Sequence, residues 1–365
     1  MKIRVLIVDD SILYRKIIQD ILAELPDVEV VGSVSNGQMA LSRIRLLNPD
    51  LLTLDVEMPV MDGIQTLEAL QKQKLDLGCI MVSSKTQRGS EATIKALELG
   101  AFDFIEKPDE KTTEANITLL KQSLDSVIKA FSQRQRIRQN LYGRAPVRPV
   151  SRSPALPPQP VRDLPQPTLA VKRAVKSNAV AIGISTGGPN ALMQLLPGFP
   201  GDINIPIFLV QHMPPVFSAS LARSLDKKCA LHVKEAEDGE AVQPNTVYVA
   251  MGGKQMKITS GTGLQKIIRI TDDDPENNCK PSVDYLLRSV AREYGSKSTC
   301  VIMTGMGADG KLGISVTRAS GAFTIAQNEE TCVVYGMPKA IVDAGLADVV
   351  APLHRIADEV LKTIR

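Results

Sequence analysis

Two separate sets of residues in this 365-residue chain have the types and positions that chemistry needs. The first is Asp9, Asp10, Asp55, Ser83 and Lys107. Hydropathy patterning puts each of them at or just past the carboxyl end of a strand in a stretch where strands and helices alternate, so all five converge on one sheet edge. Three carboxylates that close repel one another, and burial raises their pKa values unless a cation compensates. A hard divalent ion such as Mg2+ resolves the conflict, and Lys107 adds a fixed positive charge. Such a site suits phosphoryl transfer to a carboxylate, because metal and ammonium neutralise the charge developing on the phosphoryl oxygens. A single aspartate at a strand end is as readily a solvated loop residue; the constellation is not.

The second set begins at Gly183-Ile184-Ser185-Thr186-Gly187-Gly188, between a strand pattern and a helix pattern. A tight glycine turn there lifts the Ser185 hydroxyl above the sheet edge and aims backbone N–H groups at whatever docks beside it. On its own the string serves equally as a phosphate or dinucleotide loop. Serine needs a base at neutral pH, and histidine is the usual one. Of the three histidines, His232 falls inside a strand pattern and His354 at a helix start, whereas His212 stands at a strand-to-loop edge before Pro214-Pro215. Asp309, after another strand, is the candidate carboxylate to orient that imidazole. Asp272–Asp274 compete for the role but read as a solvated turn before Pro275. The order Ser…His…Asp departs from the α/β-hydrolase order. A dinucleotide site would need an acid ~20 residues past the glycines at the next strand end; Asp202 precedes that strand instead.

The elements that must position these residues fall into two blocks. In the first, strands are expected at 3–8, 28–34, 50–55, 79–83 and 102–107, with helices between them; the first helix carries an apolar stripe of Ile12, Leu13, Ile17, Ile18, Ile21, Leu22 and Leu25. Five such alternations imply a parallel sheet with helices on both faces. In the second, strands are expected at 179–184, 205–211, 231–235, 246–251, 256–259, 266–271, 299–304, 323–326 and 348–350. Helices are expected near 189–196, 217–227, 282–294, 310–320 and 353–364. Some middle strands follow one another without a helix, which predicts an antiparallel edge. Between the blocks, Pro146, Pro149, Pro154, Pro157, Pro158, Pro160, Pro165 and Pro167 imply an extended spacer. The division expected is 1–131, a linker at 132–177, and 178–365.

Composition narrows the function classes. The formal net charge is +3, but residues 133–176 hold ten Lys/Arg against one acid, leaving the rest of the chain net acidic. The basicity therefore belongs to the linker, as a tether or as a dock for an acidic partner, and not to a folded face that tracks nucleic acid. No apolar run is long enough to span a bilayer and no signal-peptide pattern opens the chain, so a cytoplasmic location is expected. Five scattered cysteines without a CxxC spacing argue against a disulfide framework or a structural zinc site.

Residues 1–125 resemble a two-component response-regulator receiver through Val-Asp-Asp at 8–10, LDVEMPVMDG at 54–63, MVSS at 81–84 and FIEKP at 104–108. The resemblance implies a flavodoxin-like (βα)5 fold with Asp55 as phosphoacceptor. It assigns Mg2+ ligation to Asp10, with Asp9, Asp55 and the backbone carbonyl of Glu57, and it assigns Ser83 and Lys107 to the switch and the phosphate contact. Residues 178–365 resemble the catalytic domain of the chemotaxis protein-glutamate methylesterases through IGISTGGP, QHMPP, EAEDGE, PSVDYL, TGMGADG and TIAQNEETCVVYGMP. That resemblance implies a doubly wound, mostly parallel sheet, with Ser185 as nucleophile, His212 as general base and acid, and Asp309 as orienting carboxylate. Thr186 and Met306 are expected to flank the site as oxyanion donors, without a cofactor. It further implies demethylation and deamidation of methyl-accepting chemotaxis receptors, a chemotaxis histidine kinase as phosphodonor, and a receiver that covers the catalytic face until phosphorylated. Gln255 and Cys279 stand where relatives often carry histidine, which leaves the substrate groove open to question but not the triad.

Overall fold

The computed structural model describes residues 2–75, 77–108, 113–142 and 175–364. The N-terminal block alternates β1 (Ile3–Val8), α1 (Ile12–Ala23), β2 (Val28–Val34), α2 (Gly37–Leu47), β3 (Leu51–Asp55), α3 (Gly63–Lys72), β4 (Gly78–Ser83), α4 (Gln87–Glu98), β5 (Asp103–Glu106) and α5 (Thr113–Tyr142). Its five strands pair in the order β2-β1-β3-β4-β5, all parallel. The chain reverses direction across the sheet at β1, and the register Val8↔Leu54 sets Asp9 beside Asp55. That reversal is where ligands of such sheets bind.

Two expectations here are corrected. The α1 stripe starts one step later than its apolar residues suggest: Ile18, Ile21 and Leu22 are buried, while Ile12 and Leu13 are exposed in the first turn. Helix α5 runs past 131 to Tyr142, because the Arg- and Gln-rich stretch there is made of good helix formers and the first proline comes only at Pro146. The proline-rich stretch itself, and with it the spacer reading, lies outside the described residues.

The C-terminal block contains β6 (Ala179–Ile184), α6 (Gly188–Leu195), β7 (Ile207–Gln211), α7 (Phe217–Asp226), β8 (His232–Glu235), β9 (Thr246–Val249), β10 (Gln255–Ser260), β11 (Lys266–Thr271), α8 (Val283–Tyr294), β12 (Ser298–Ile302), α9 (Lys311–Ala319), β13 (Phe323–Gln327), α10 (Met337–Asp343), β14 (Val349–Ala351) and α11 (Leu353–Ile364). Seven strands form one sheet in the order β14-β13-β12-β6-β7-β9-β8, parallel throughout. The antiparallel edge expected from the sequence is absent from it. Strands β10 and β11 pair antiparallel as a separate ribbon. The segment joining β8 to β9 leans on that ribbon, with Gly239 N–H donating to Ile268 O, Ile268 N–H to Glu240 O and Val242 N–H to Lys266 O. The ribbon thus takes the place of a crossover helix and lets β8 and β9 stay parallel. Its inner face, Met256, Ile258 and Ile268, is buried with α8 residues Leu286, Leu287 and Val290. No helix among the described residues is long and apolar enough to cross a membrane.

Candidate active site

Strands β12, β6 and β7 are neighbours, and their carboxyl ends deliver the three residues singled out from the second block. The register Ile184↔Gln211 sets Ser185 beside His212, whose N–H donates to Ile184 O at 3.1 Å. Ser185 N–H donates to Thr304 O at 2.9 Å, which ties the serine turn to the end of β12. This is also where the chain reverses across the sheet. The turn closes through Gly187, whose φ of 73° only glycine adopts cheaply, and a Cβ there would meet Val333 Cβ at 2.5 Å. Gly305 allows a second close approach: a Cβ on it would lie 2.7 Å from Ser185 Cβ.

Asp309 is buried and accepts hydrogen bonds on both oxygens. Oδ2 lies 2.8 Å from His212 Nε2 and 2.7 Å from Val283 N. Oδ1 accepts from Ser282 Oγ at 2.9 Å, Gly310 N at 3.0 Å, Asn277 Nδ2 at 3.1 Å and Asp284 N at 3.2 Å. The Val283 and Asp284 N–H groups are the unpaired donors that open α8, the natural seat for an anion. Burial alone would raise the carboxyl, but His212 and these donors hold it down at about 2.

An ionised carboxylate only accepts, so Nε2–H faces Asp309, and in the neutral form of His212 the lone pair is left on Nδ1. Among the described residues the Ser185 hydroxyl makes no hydrogen bond, and Nδ1 lies 3.7 Å from Cys279 Sγ. Serine and imidazole thus share a pocket in this structure without being joined by a hydrogen bond. Bonds of this kind often close only when substrate arrives. Burial works against the imidazolium, but its hydrogen bonds and charge interactions with Asp309 and Cys279 outweigh it and carry the pKa up to about 9. A base must be deprotonated to act, so with His212 in that role kcat/KM is expected to climb with pH until about 9. Cys279→Ala is expected to move that rise to lower pH; an unmoved pH–rate profile would show that the thiol does not act on His212.

Sequence reasoning missed several residues that build the site. Buried Gln211 donates through Nε2 to both Ser185 O and His212 O at 3.0 Å, clamping the two strand ends together. Its place just before His212 is the one available signal. Ser282 and Asn277 hold Asp309 and come from a loop whose fold is not readable from pattern. Gln255 proves to be scaffold: fully buried, it donates to Asp274 O and accepts from Ser282 N–H. Cys279, by contrast, touches the imidazole directly. Asp272 and Asp273 are exposed and paired with Lys254, Lys280 and Lys257, as a solvated turn should be. His232 pairs with Asp226 at the surface, and Asp202 is exposed in the turn that precedes β7.

At the edge of the first sheet, Asp9 and Asp55 are buried, and Lys107 Nζ bridges them at 3.0 and 2.9 Å. Burial pushes Asp55 up to about 6, with Lys107 opposing and Asp9 adding to the rise. Oxygens of Asp9, Asp10 and Asp55 all lie within 4.8 Å of one another. This all-oxygen donor set fits a hard divalent cation. Buried Ser83 Oγ donates to Gly89 O at 3.2 Å, and Lys107 N–H to Ser83 O at 2.7 Å, so hydroxyl and lysine sit on adjoining strands. The exposed Glu57 side chain lies 3.9 Å from the Arg88 guanidinium.

Comparison with known proteins agrees with both halves. Residues 5–118 match the response regulator receiver domain, and residues 180–360 the CheB methylesterase model. A protein-glutamate methylesterase/protein-glutamine glutaminase of Desulfotalea psychrophila is 53% identical over 100% of this chain and 99% of its own length. The chain belongs to the CheB methylesterase family. A Bacillus subtilis protein of the same name is 43% identical across 100% of this chain and 99% of that one. The crystal structure of the Thermotoga maritima CheB methylesterase catalytic domain shares 42% identity and a TM-score of 0.50, covering 52% of this chain and 99% of that chain.

In this CheB-family chain the two domains meet over the edge that carries Ser185 and His212. Helix α4 packs on α7: Ser90 and Ser220 hydroxyls lie 2.8 Å apart, Arg223 reaches Glu91 at 3.2 Å, and Lys228 reaches Glu98 at 3.1 Å. The Phe104 and Phe217 rings stack with centroids 4.5 Å apart. Asn190 Nδ2 donates to Ala101 O at 3.2 Å, and Ser126 Oγ lies 3.3 Å from Met306 Sδ. The contacts frame a solvent-open cleft of about 410 Å³ lined by Ser185, Thr186 and His212 on one wall and by Phe104, Pro108 and Leu119 on the other. The receiver roofs the edge that carries Ser185 and His212.

Proposed function

We propose that this chain hydrolyses glutamate γ-methyl esters on the helical cytoplasmic region of chemoreceptors, releasing methanol, and deamidates particular receptor glutamines at the same site. The observation that carries the reading is the 2.8 Å His212–Asp309 bond at the end of a strand edge shared with Ser185. The names of the relatives from Desulfotalea psychrophila and Bacillus subtilis supply the substrate class.

Asp309 holds Nε2–H, so Nδ1 takes the Ser185 proton as the hydroxyl attacks the ester carbonyl. Neither Thr186 nor Met306 donates its backbone N–H within the described residues, so both are free to hold the oxyanion. Losing one such donor typically costs ~3 kcal/mol. His212 then returns the proton to the departing methoxide, giving methanol and an acyl-Ser185. Water, deprotonated by the same Nδ1, releases glutamate. With a carboxamide substrate the leaving group is ammonia and the sequence is otherwise the same.

Asp55 is the phosphoacceptor in this reading, and a chemotaxis histidine kinase in the cytoplasm is the donor. Asp9, Asp10, Asp55 and the Glu57 carbonyl would hold Mg2+, which supplies positive charge to the phosphoryl oxygens. Lys107 balances the two buried carboxylates before transfer and the phosphoryl group after it, and Ser83 supplies a hydroxyl to the new phosphoryl group.

The roof links Asp55 to activity. Stacked aromatic pairs contribute ~1 kcal/mol beyond their area burial, and ~1.4 kcal/mol of docking free energy shifts an equilibrium tenfold. Phe104→Ala is expected to raise unphosphorylated methanol release about tenfold, with a smaller further gain on phosphorylation. Basal release equal to that of the parent chain would refute covering as the restraint. Methanol release from labelled receptor by the wild type, Ser185→Ala and Asp55→Asn tests the whole reading: Asp55→Asn should stay at the basal rate and Ser185→Ala should release none.

A further inference from the structure

We infer that His212 Nδ1 and Cys279 Sγ form a chelating pair for a soft divalent cation, Zn2+, and that its binding switches the esterase off. The two atoms lie 3.7 Å apart. A tetrahedral zinc with N and S ligands at about 2.1 and 2.3 Å needs them roughly 3.6 Å apart. No side-chain rearrangement is required to reach that spacing. The Asp309 oxygen completes a cluster in which all three potential ligand atoms lie within 4.8 Å.

Asp309 is better placed behind the imidazole than on the metal. Its Oδ2 already accepts from His212 Nε2 and Val283 N, and its Oδ1 from four further donors. A carboxylate on the far nitrogen of a metal-bound histidine fixes the tautomer and raises the basicity of the ligating nitrogen. The device that prepares Nδ1 as a base therefore also prepares it as a ligand. Cys279 is held in place by Asn277 O at 3.4 Å and by its loop, in which Gln255 donates to Cys279 O and accepts from Ser282 N–H. Both ligands are partly exposed, so solvent can fill the remaining two positions. Binding converts the thiol to a thiolate and releases its proton to solvent. A metal on Nδ1 removes the lone pair that would take the Ser185 proton.

The inhibition arm rests on His212 acting as the base; the ligation arm does not. The test uses the full chain carrying Asp55→Asn, so that the receiver carboxylates do not respond to added metal through phosphorylation. Zinc chloride is titrated against basal methanol release at fixed pH, and Co2+ is added in a separate cuvette. The expected results are inhibition reversed by EDTA and a thiolate-to-cobalt charge-transfer band; Cys279→Ala should abolish the band and raise the inhibitory midpoint by about 100-fold. Cys279→Ser repeats the comparison with a side chain of nearly the same size. Cys229→Ser should leave the midpoint and the band unchanged. A band that survives Cys279→Ala, or an unchanged midpoint in both Cys279 variants, overturns the site. A Cys279-dependent band without inhibition keeps the site and removes His212 from the role of base.

Discussion

Ser185→Ala is expected to lower methanol release from methylated receptor by a factor on the order of 10^5, leaving only the residual catalysis that binding and the oxyanion donors supply. With the Ser185 hydroxyl as the proposed bond-forming group, nothing else at the site substitutes for it. Folding should be indifferent to the change. The Ser185 side chain makes no hydrogen bond among the described residues, and the contacts that hold the turn go to its backbone atoms: Ser185 N–H to Thr304 O, Gly188 N–H to Ser185 O and Gln211 Nε2 to Ser185 O. The melting temperature should therefore stay where it is, with any change in stability under ~0.5 kcal/mol. Lost activity with intact stability is the signature of a nucleophile. A variant that retains a tenth of the parent rate would show that the ester is cleaved by other means.

Asp309→Asn should fail in two ways at once. The carboxylate faces six donors: His212 Nε2, Val283 N, Ser282 Oγ, Gly310 N, Asn277 Nδ2 and Asp284 N. An asparagine keeps one acceptor and turns an NH2 group toward donors that then lack partners. Each buried donor left unsatisfied costs ~1–3 kcal/mol, so a loss of about 2–4 kcal/mol of stability is expected. If the NH2 faces His212, the imidazole is driven into the other tautomer and Nδ1 carries a proton when it should accept one. A comparable aspartate-to-asparagine change in a serine triad costs about 10^4 in kcat. Measuring kcat/KM well below the melting transition separates the two losses. A large drop in Tm with near-parent kcat/KM would make Asp309 a scaffold and nothing more.

The sequence is most legible where chemistry and strand ends coincide. Asp9, Asp55, Ser83 and Lys107 could be placed on one edge because short β-branched runs ended at each of them, and parallel topology follows from alternation. Ser185, His212 and Asp309 were found by the same logic, and the register Ile184↔Gln211 supplied what pattern could not, the lateral alignment of two strand ends. Less legible were contacts made by loops. The Asn277–Ser282 segment has no periodicity, yet it supplies two side-chain donors to Asp309 and puts Cys279 on the base. Consecutive strands without helices read as an antiparallel edge, because local pattern does not reveal that β10 and β11 leave the sheet to form their own ribbon. Helix α5 outran its expected end because a charged amphipathic stretch looks alike as helix and as linker until a proline interrupts it. The domain contact includes the stack of Phe104 on Phe217, two aromatic residues with nothing in their flanking sequence to pair them.

Covalent capture of the nucleophile tests the central claim most directly. The full chain, phosphorylated at Asp55, is incubated with a serine-reactive organophosphonate, digested and mapped by mass spectrometry, with His212→Gln in parallel. The predicted result is one adduct, on Ser185, formed much faster in the parent than in His212→Gln and matched mole for mole by lost methanol release. Full inactivation with the adduct on any other residue, or a fully labelled Ser185 that leaves methanol release intact, would contradict it.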